Sequence, residues 1–213
     1  MRNSNSRIKK LYRELREKHG SPGRGSALST SKGWSLWCKR PKTGREKEEI
    51  VIGAILTQRT NWRNVEIAFQ NLKDRKLCSL AAIAKYPRRI PSCIRSAGFY
   101  NQKTRYLISL TRFIEKSGGV KVLLREPISK LRPDLLGLPG VGPETADSIL
   151  LYALEKPVFV VDEYTRRLVT RKGITRERNY EKLRKLFEEN LPRDWRLYQD
   201  FHALIVKASK IDK

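Results

Sequence analysis

Apolar residues recur at helical spacing along most of the chain. Near the start, Ile8, Leu11, Tyr12 and Leu15 fall on one face of residues 7–18 and predict a short amphipathic helix. Ile50, Ala54, Ile55 and Leu56 predict a second helix, Val65, Ala68, Phe69 and Leu72 a third, and Leu107, Leu110, Thr111 and Ile114 a longer one. Two more patterns follow at 128–136 and 143–154. The second is strongly apolar through Ile149, Leu151 and Tyr152, and its leading Pro143 suits a first helical turn. Residues 163–172 read as a helix, and Trp195, Tyr198, Phe201, Leu204 and Ile205 give a last amphipathic one. Only 158–161 is β-like, and four residues do not make a sheet. The predicted class is all-α. Between 20 and 44 the periodicity lapses into Gly, Ser, Pro and Lys, interrupted by Trp34 and Trp37, which predicts a basic linker or loop.

Charge narrows the partners. Among 213 residues, 46 Lys and Arg face 22 Asp and Glu, a net charge of +24 that points to a polyanion. The excess is not one tail: residues 1–47 carry 14 basic and 3 acidic side chains, and 48–213 carry the remaining 32 and 19. Charge alone does not separate an enzyme from a protein that coats nucleic acid. Apolar runs such as 50–56 and 149–154 are shorter than the roughly 20 residues a bilayer span needs, and no apolar signal region follows Met1. No membrane association is expected. Cys38, Cys78 and Cys93, with only His19 and His202 besides, match neither a disulfide framework nor a zinc site, so the chain reads as intracellular and reduced.

The most informative stretch is Leu138-Pro139-Gly140-Val141-Gly142 between the two apolar helices at 128–136 and 143–154. Two glycines around one apolar residue permit a tight turn in which Val141 packs between the helices. The amides around Gly140 and Gly142 then point outward together at a helix N-terminus, which makes an anion site. A DNA backbone can approach it closely, and such a contact carries no sequence information. The fuller run through Pro143, Glu144, Thr145 and Ala146 is a helix-hairpin-helix signature.

With that hairpin in place, the run from Ala54 to Gln58 (AILTQ), the run from Ser96 to Lys103 (SAGFYNQK), the hairpin itself and Val160-Val161-Asp162 follow the order of the helix-hairpin-helix (HhH-GPD) DNA glycosylases. The chain resembles the endonuclease III-related branch that includes a bacterial 3-methyladenine DNA glycosylase, over about 46–210. The resemblance implies a two-lobed fold: a six-helix barrel over 46–157 with the hairpin at 128–154, and a second helical lobe from 1–45 plus 158–213. It also implies that double-stranded DNA containing a damaged base is bound across the cleft by a monomer. Many relatives end in four cysteines that hold an iron–sulfur cluster. No cysteine follows Cys93, so no cluster and no other cofactor is expected, apart from a monovalent cation that the hairpin could hold.

The resemblance also implies roles for single residues. It places the family's catalytic carboxylate at Asp162, where position alone suggests a helix N-cap. Breaking an N-glycosidic bond develops oxocarbenium character, which a fixed carboxylate stabilises, and a cap fixes a carboxylate, so both roles can hold together. Bifunctional relatives carry a Schiff-base lysine two residues after the second hairpin glycine. Glu144 stands there, and a carboxylate forms no imine, which favours a monofunctional enzyme. Glu144 is otherwise a helix-start acid, and Lys210 either supports the active site or is one more solvated cation. Gln58 matches the residue that fills the gap left by a flipped base. Leu138, Gly140, Val141, Gly142 and Thr145 complete the DNA-binding set. Trp62, Phe99, Tyr100, Trp34 and Trp37 are candidate walls of a base pocket, where an aromatic face would favour a cationic alkylated base. The implied activity is therefore a monofunctional DNA N-glycosylase of base excision repair that removes an alkylated base such as 3-methyladenine. Uracil, mismatched thymine or an oxidised base with lyase activity, or a non-catalytic DNA-binding module, are the alternatives.

Overall fold

A computed structural model describes residues 2–22 and 36–211. Trp34 lies outside them. In chain order the longer helices are α1 (Arg2–His19), α2 (Gly44–Leu56), α3 (Trp62–Asp74), α4 (Leu80–Lys85), α5 (Tyr100–Lys116), α6 (Ile128–Leu136), α7 (Pro143–Ser148), α8 (Glu163–Arg171), α9 (Tyr180–Glu188) and α10 (Trp195–Ile211). Single turns at Ile90–Cys93 and Val120–Leu123 lie between them. No strand occurs among the described residues, so the chain is all-α as expected.

Side-chain caps start most of these helices. Thr43 and Glu46 form a reciprocal capping box at α2, while Asn61, Ser79, Asp162 and Asn179 each accept an amide at the starts of α3, α4, α8 and α9. One local expectation needs correction. The apolar helix expected over 143–154 changes character after Ser148: Ile149–Ala153 is a π-helix, closed by the Leu154 amide donating to Ile149 O at 3.0 Å. Its side chains are all buried, and nothing in their composition signals the wider turn. The run 158–161 is buried and forms no strand, in keeping with its being too short to make a sheet. Phe159 N donates to Glu188 Oε1 at 2.9 Å, Val161 N to the Tyr180 hydroxyl at 3.4 Å and Val158 N to Lys156 O at 2.8 Å, so these amides are paired without a partner strand.

The chain divides into two units, one of residues Pro41–Leu154 and one formed by the segments before and after it. In the central unit, α2 is buried on every side from Ile50 to Leu56 and packs against the π-helix and α5. That all-round burial explains why its apolar pattern shows little stripe. In the other unit α1, α8, α9 and α10 surround an aromatic cluster. The Phe159 and Phe187 rings stack at 4.1 Å, and Phe201 meets both edge-on at 5.8 and 5.5 Å. Ile8, Leu11 and Leu15 bury one face of α1, as their spacing predicts. An ion pair between Arg40 and Asp200 joins the end of the N-terminal segment to α10. No described helix is long and apolar enough to cross a membrane.

Candidate functional site

The hairpin of the central unit is built from backbone. Val141 N donates to Leu138 O at 3.1 Å to close the turn, and Gly140 takes a φ of +76°. A Cβ on Gly140 would lie 2.2 Å from the ring of Tyr106, so only hydrogen fits there. Gly142 differs: its φ of −84° suits any residue, and nothing lies within 4 Å of its would-be Cβ. The turn therefore needs one glycine rather than two, and the second keeps space open in front of the α7 N-terminus. Val141 is buried between α6 and α7, Leu138 is half-buried, and Gly140, Gly142 and Glu144 are exposed. Behind the turn, Arg132 of α6 clamps Asp147 of α7 through Nε at 2.7 Å and Nη2 at 3.2 Å, with Asp147 fully buried. Leu138 O and Gly140 O both accept N–H donors already, so a cation at the hairpin would share those oxygens.

Gln58 follows α2 and reaches this hairpin. Its Nε2 donates to Gly140 O at 2.9 Å and to the buried Thr145 Oγ1 at 3.0 Å. Gln58 and Gly140 line a cavity of about 190 Å³ together with Arg59, Phe99, Gln102, Lys103 and Tyr106. Phe99 is 59% exposed and left-handed, with a φ of 46°, and the Arg59 guanidinium lies 5.8 Å from its ring centre. Lys103 is 2% exposed, and its ammonium donates to Leu56 O and Ala97 O, each at 2.8 Å. Burial lowers its pKa to about 8. The other aromatic candidates lie elsewhere. Trp62 does not line this cavity and donates to Glu66 at 2.9 Å, Tyr100 starts α5 with the Arg95 guanidinium 5.4 Å over its ring, and Trp37 is buried in the other unit.

In that other unit Asp162 caps α8. Its Oδ1 accepts Thr165 N at 2.8 Å and Thr165 Oγ1 at 2.9 Å, and its Oδ2 lies 3.3 Å from His202 Nε2. Burial pushes the carboxyl pKa up, but the charge and hydrogen bond of His202 and the two bonds from Thr165 outweigh it, and the net shift is downward. Lys210 lies eight residues, about two turns, beyond His202 on α10 and so on the same helix face. Its ammonium lies 6.0 Å from the centre of the Tyr164 ring. Desolvation lowers its pKa while the Asp162 charge opposes the change.

Sequence reasoning missed five side chains that shape these sites. Tyr106 and Lys103 sit on the expected helix α5 with no local signal of what they touch. The Arg132–Asp147 clamp spans fifteen residues, and only the presence of an acid inside an apolar helix hinted at it. His202 enters the sequence reading only as one of two histidines too few for a zinc site. Among the described residues no group of three or more His, Cys, Asp or Glu could hold a metal ion.

Similarity to known proteins agrees with this geometry. Residues 52–193 match the model of the HhH-GPD superfamily base excision DNA repair proteins. A Methanocaldococcus jannaschii protein assigned as a DNA repair glycosylase is 45% identical over 167 residues, 76% of each chain. Endonuclease III of Thermotoga maritima is 30% identical over 157 residues, covering 72% of this chain and 70% of its own. Among solved structures, Helicobacter pylori 3-methyladenine DNA glycosylase bound to 1,N6-ethenoadenine superposes with a TM-score of 0.77 at 29% identity, over 99% of this chain and 98% of the other. The hairpin, the helical architecture and these likenesses agree: the chain belongs to the HhH-GPD superfamily of base excision DNA repair proteins and is a DNA glycosylase related to endonuclease III.

Proposed function

We propose that the protein is a monofunctional glycosylase that removes an alkylated base, of the 3-methyladenine kind, from double-stranded DNA and leaves an abasic site. The observation that carries this reading is the state of Asp162, a carboxylate fixed by Thr165 and kept ionised beside His202. As the N-glycosidic bond breaks, its electrons leave with the base and positive charge grows on the sugar, which an ionised carboxylate stabilises. Water then adds its oxygen to C1′, and its proton passes to Asp162 or to solvent. A base alkylated at a ring nitrogen, such as 3-methyladenine or 7-methylguanine, is cationic before it leaves and neutral afterwards, so it needs no protonated group to expel it. An acid catalyst would require a raised carboxyl pKa, and that of Asp162 is lowered. Support for the substrate class also comes from the Helicobacter pylori enzyme, whose name and bound ligand both concern modified adenine.

In this reading the hairpin binds a DNA phosphate through the Gly140 and Gly142 amides, and Gln58 and the exposed Phe99 enter the duplex as the damaged base leaves the stack. Lys210 supports the charge balance around Asp162. Glu144 offers no amine, so the strand is not cut, and the reaction as proposed consumes only water. The protein acts as a monomer. The test is incubation with duplexes that each carry one lesion: 7-methylguanine, 1,N6-ethenoadenine, uracil, mismatched thymine or 8-oxoguanine. The expected result is strand breakage at alkylated bases only, and only after alkali. Breakage without alkali, trapped by borohydride, would make the protein a lyase, and release confined to uracil, thymine or 8-oxoguanine would move the substrate class.

A further inference from the structure

Two short segments of the central unit present side chains at the hairpin, and both have the same construction. One leaves α2 at Leu56 and runs through Gln58 to Arg59, which is left-handed with a φ of 51°. The other leaves the short 3-10 turn Arg95–Ala97 and runs through Gly98, with a φ of 71°, to the left-handed Phe99. A non-glycine residue held in that region is strained and persists only where its surroundings enforce it. In each segment the last helical carbonyl before the irregular stretch, Leu56 O or Ala97 O, accepts from the same buried ammonium, Lys103 Nζ. Beyond the two carbonyls the segments meet again, where the Arg59 guanidinium lies over the Phe99 ring.

We propose that Lys103 is a positioning residue for base eversion: it ties the end of α2, which presents Gln58, to the turn that presents Phe99, and so sets the spacing of the two side chains offered to the duplex. The proposal rests on the reading that Gln58 and Phe99 enter DNA. Its physical basis is the donor count. An ammonium has three N–H donors and needs no particular rotamer at its tip, so it can serve two carbonyls that approach from different elements. One of these ends α2, where a cation also meets the negative pole of the helix. The amine keeps two N–H donors even when neutral, enough for both carbonyls, so the tie survives the lowered pKa that burial imposes. The Lys103 ammonium bonds to neither Gln58 nor Phe99 and acts on both through backbone two residues away, while the Lys103 amide donates to Phe99 O at 2.9 Å as the first turn of α5.

The test uses the whole protein and a duplex in which 2-aminopurine faces a tetrahydrofuran abasic residue, so that its fluorescence reports side chains entering the gap. Lys103→Met keeps the length of the side chain and removes its donors. It should slow the fluorescence change by about 10- to 100-fold, the size expected for misplacing a reacting group by about 1 Å, while duplex affinity, set by the hairpin, changes less than threefold. Lys103→Arg, which still donates, should recover most of the rate. Insertion within twofold of wild type in Lys103→Met, with Gln58→Ala and Phe99→Ala both impaired, would overturn the proposal and leave the eversion reading standing. Wild-type behaviour in both alanine variants would instead remove the eversion reading and this proposal with it. If thermal melting shows that Lys103→Met does not fold, the double variant Gln58→Ala/Phe99→Ala decides: tied segments predict non-additive losses, and additive losses overturn the tie.

Discussion

The hairpin and the carboxylate are fixed by opposite means. At the hairpin, one backbone angle at Gly140, one ring laid against it and a closed turn leave almost no side chain free to move. At Asp162 the backbone is ordinary extended chain, and the position and charge come from Thr165 and from His202, forty residues on. A site built from backbone is damaged by adding atoms. A site built from side chains is damaged by removing a charge partner. The two therefore fail differently, and substitutions can separate the failures.

The largest effect is expected at the carboxylate. Asp162→Asn should lower single-turnover excision by about 10²- to 10⁴-fold, the usual worth of such a group. The Asn oxygen still accepts Thr165 N, so the melting temperature should stay near wild type and DNA should still bind. Excision near the wild-type rate would take Asp162 out of the chemistry.

Next comes the clamp behind the hairpin. Asp147→Ala leaves the Arg132 guanidinium without its buried carboxylate, which should cost about 3–5 kcal/mol in urea unfolding. The double variant Arg132→Met/Asp147→Leu should regain most of that loss, since an apolar pair carries no desolvation penalty. Failure of the double variant to recover would mean that the pair holds the hairpin geometry itself.

The two glycines should part company. In Gly140→Ala the methyl group meets the Tyr106 ring at 2.2 Å on a left-handed backbone, and a loss of about 1–3 kcal/mol in stability with weaker DNA binding is expected. Gly142→Ala has ordinary φ and open space, so its stability should match wild type and any effect should appear only in DNA affinity. Equal destabilisation of both would contradict the asymmetry of the turn.

The gentlest probe is pH. The Asp162 pKa is lowered, so the stability and activity it supplies are present above the ordinary aspartate range and fade as pH falls through the lowered value. His202→Phe removes the compensating partner and leaves the burial, so the acid limbs of excision and of unfolding should both move to higher pH. An unmoved excision limb would mean that another group sets it.

The contrast also explains what was legible in the sequence. Helix α6 covers 128–136 as its periodicity indicates, and the hairpin lies in one contiguous run, so its backbone chemistry can be read letter by letter. Asp162 follows an apolar run and opens a helix, which alone marks only an N-cap, and its catalytic role is implied by the resemblance. Its partner on α10 leaves no local trace, because the contact exists only once the aromatic cluster has brought α8 and α10 together. Tyr106 is equally silent: its spacing on α5 does not say that its ring will rest against a glycine thirty-four residues on. The π-helix is silent for another reason, since its five apolar residues would pack as readily in an α-helix.

The Arg132–Asp147 pair also gives the hairpin its own response to temperature. Hydration of charged groups becomes less favourable on heating, so the cost of keeping this guanidinium and carboxylate out of water falls as the protein warms. The apolar packing around Val141 gains nothing comparable over the same range. Warming therefore shifts the burden of holding α6 against α7 from packing to the ion pair. The hairpin turn should keep its shape at temperatures where unclamped loops have begun to open, and amide exchange at Val141 followed against temperature in wild type and in Arg132→Met/Asp147→Leu would show the difference as a steeper rise in the variant.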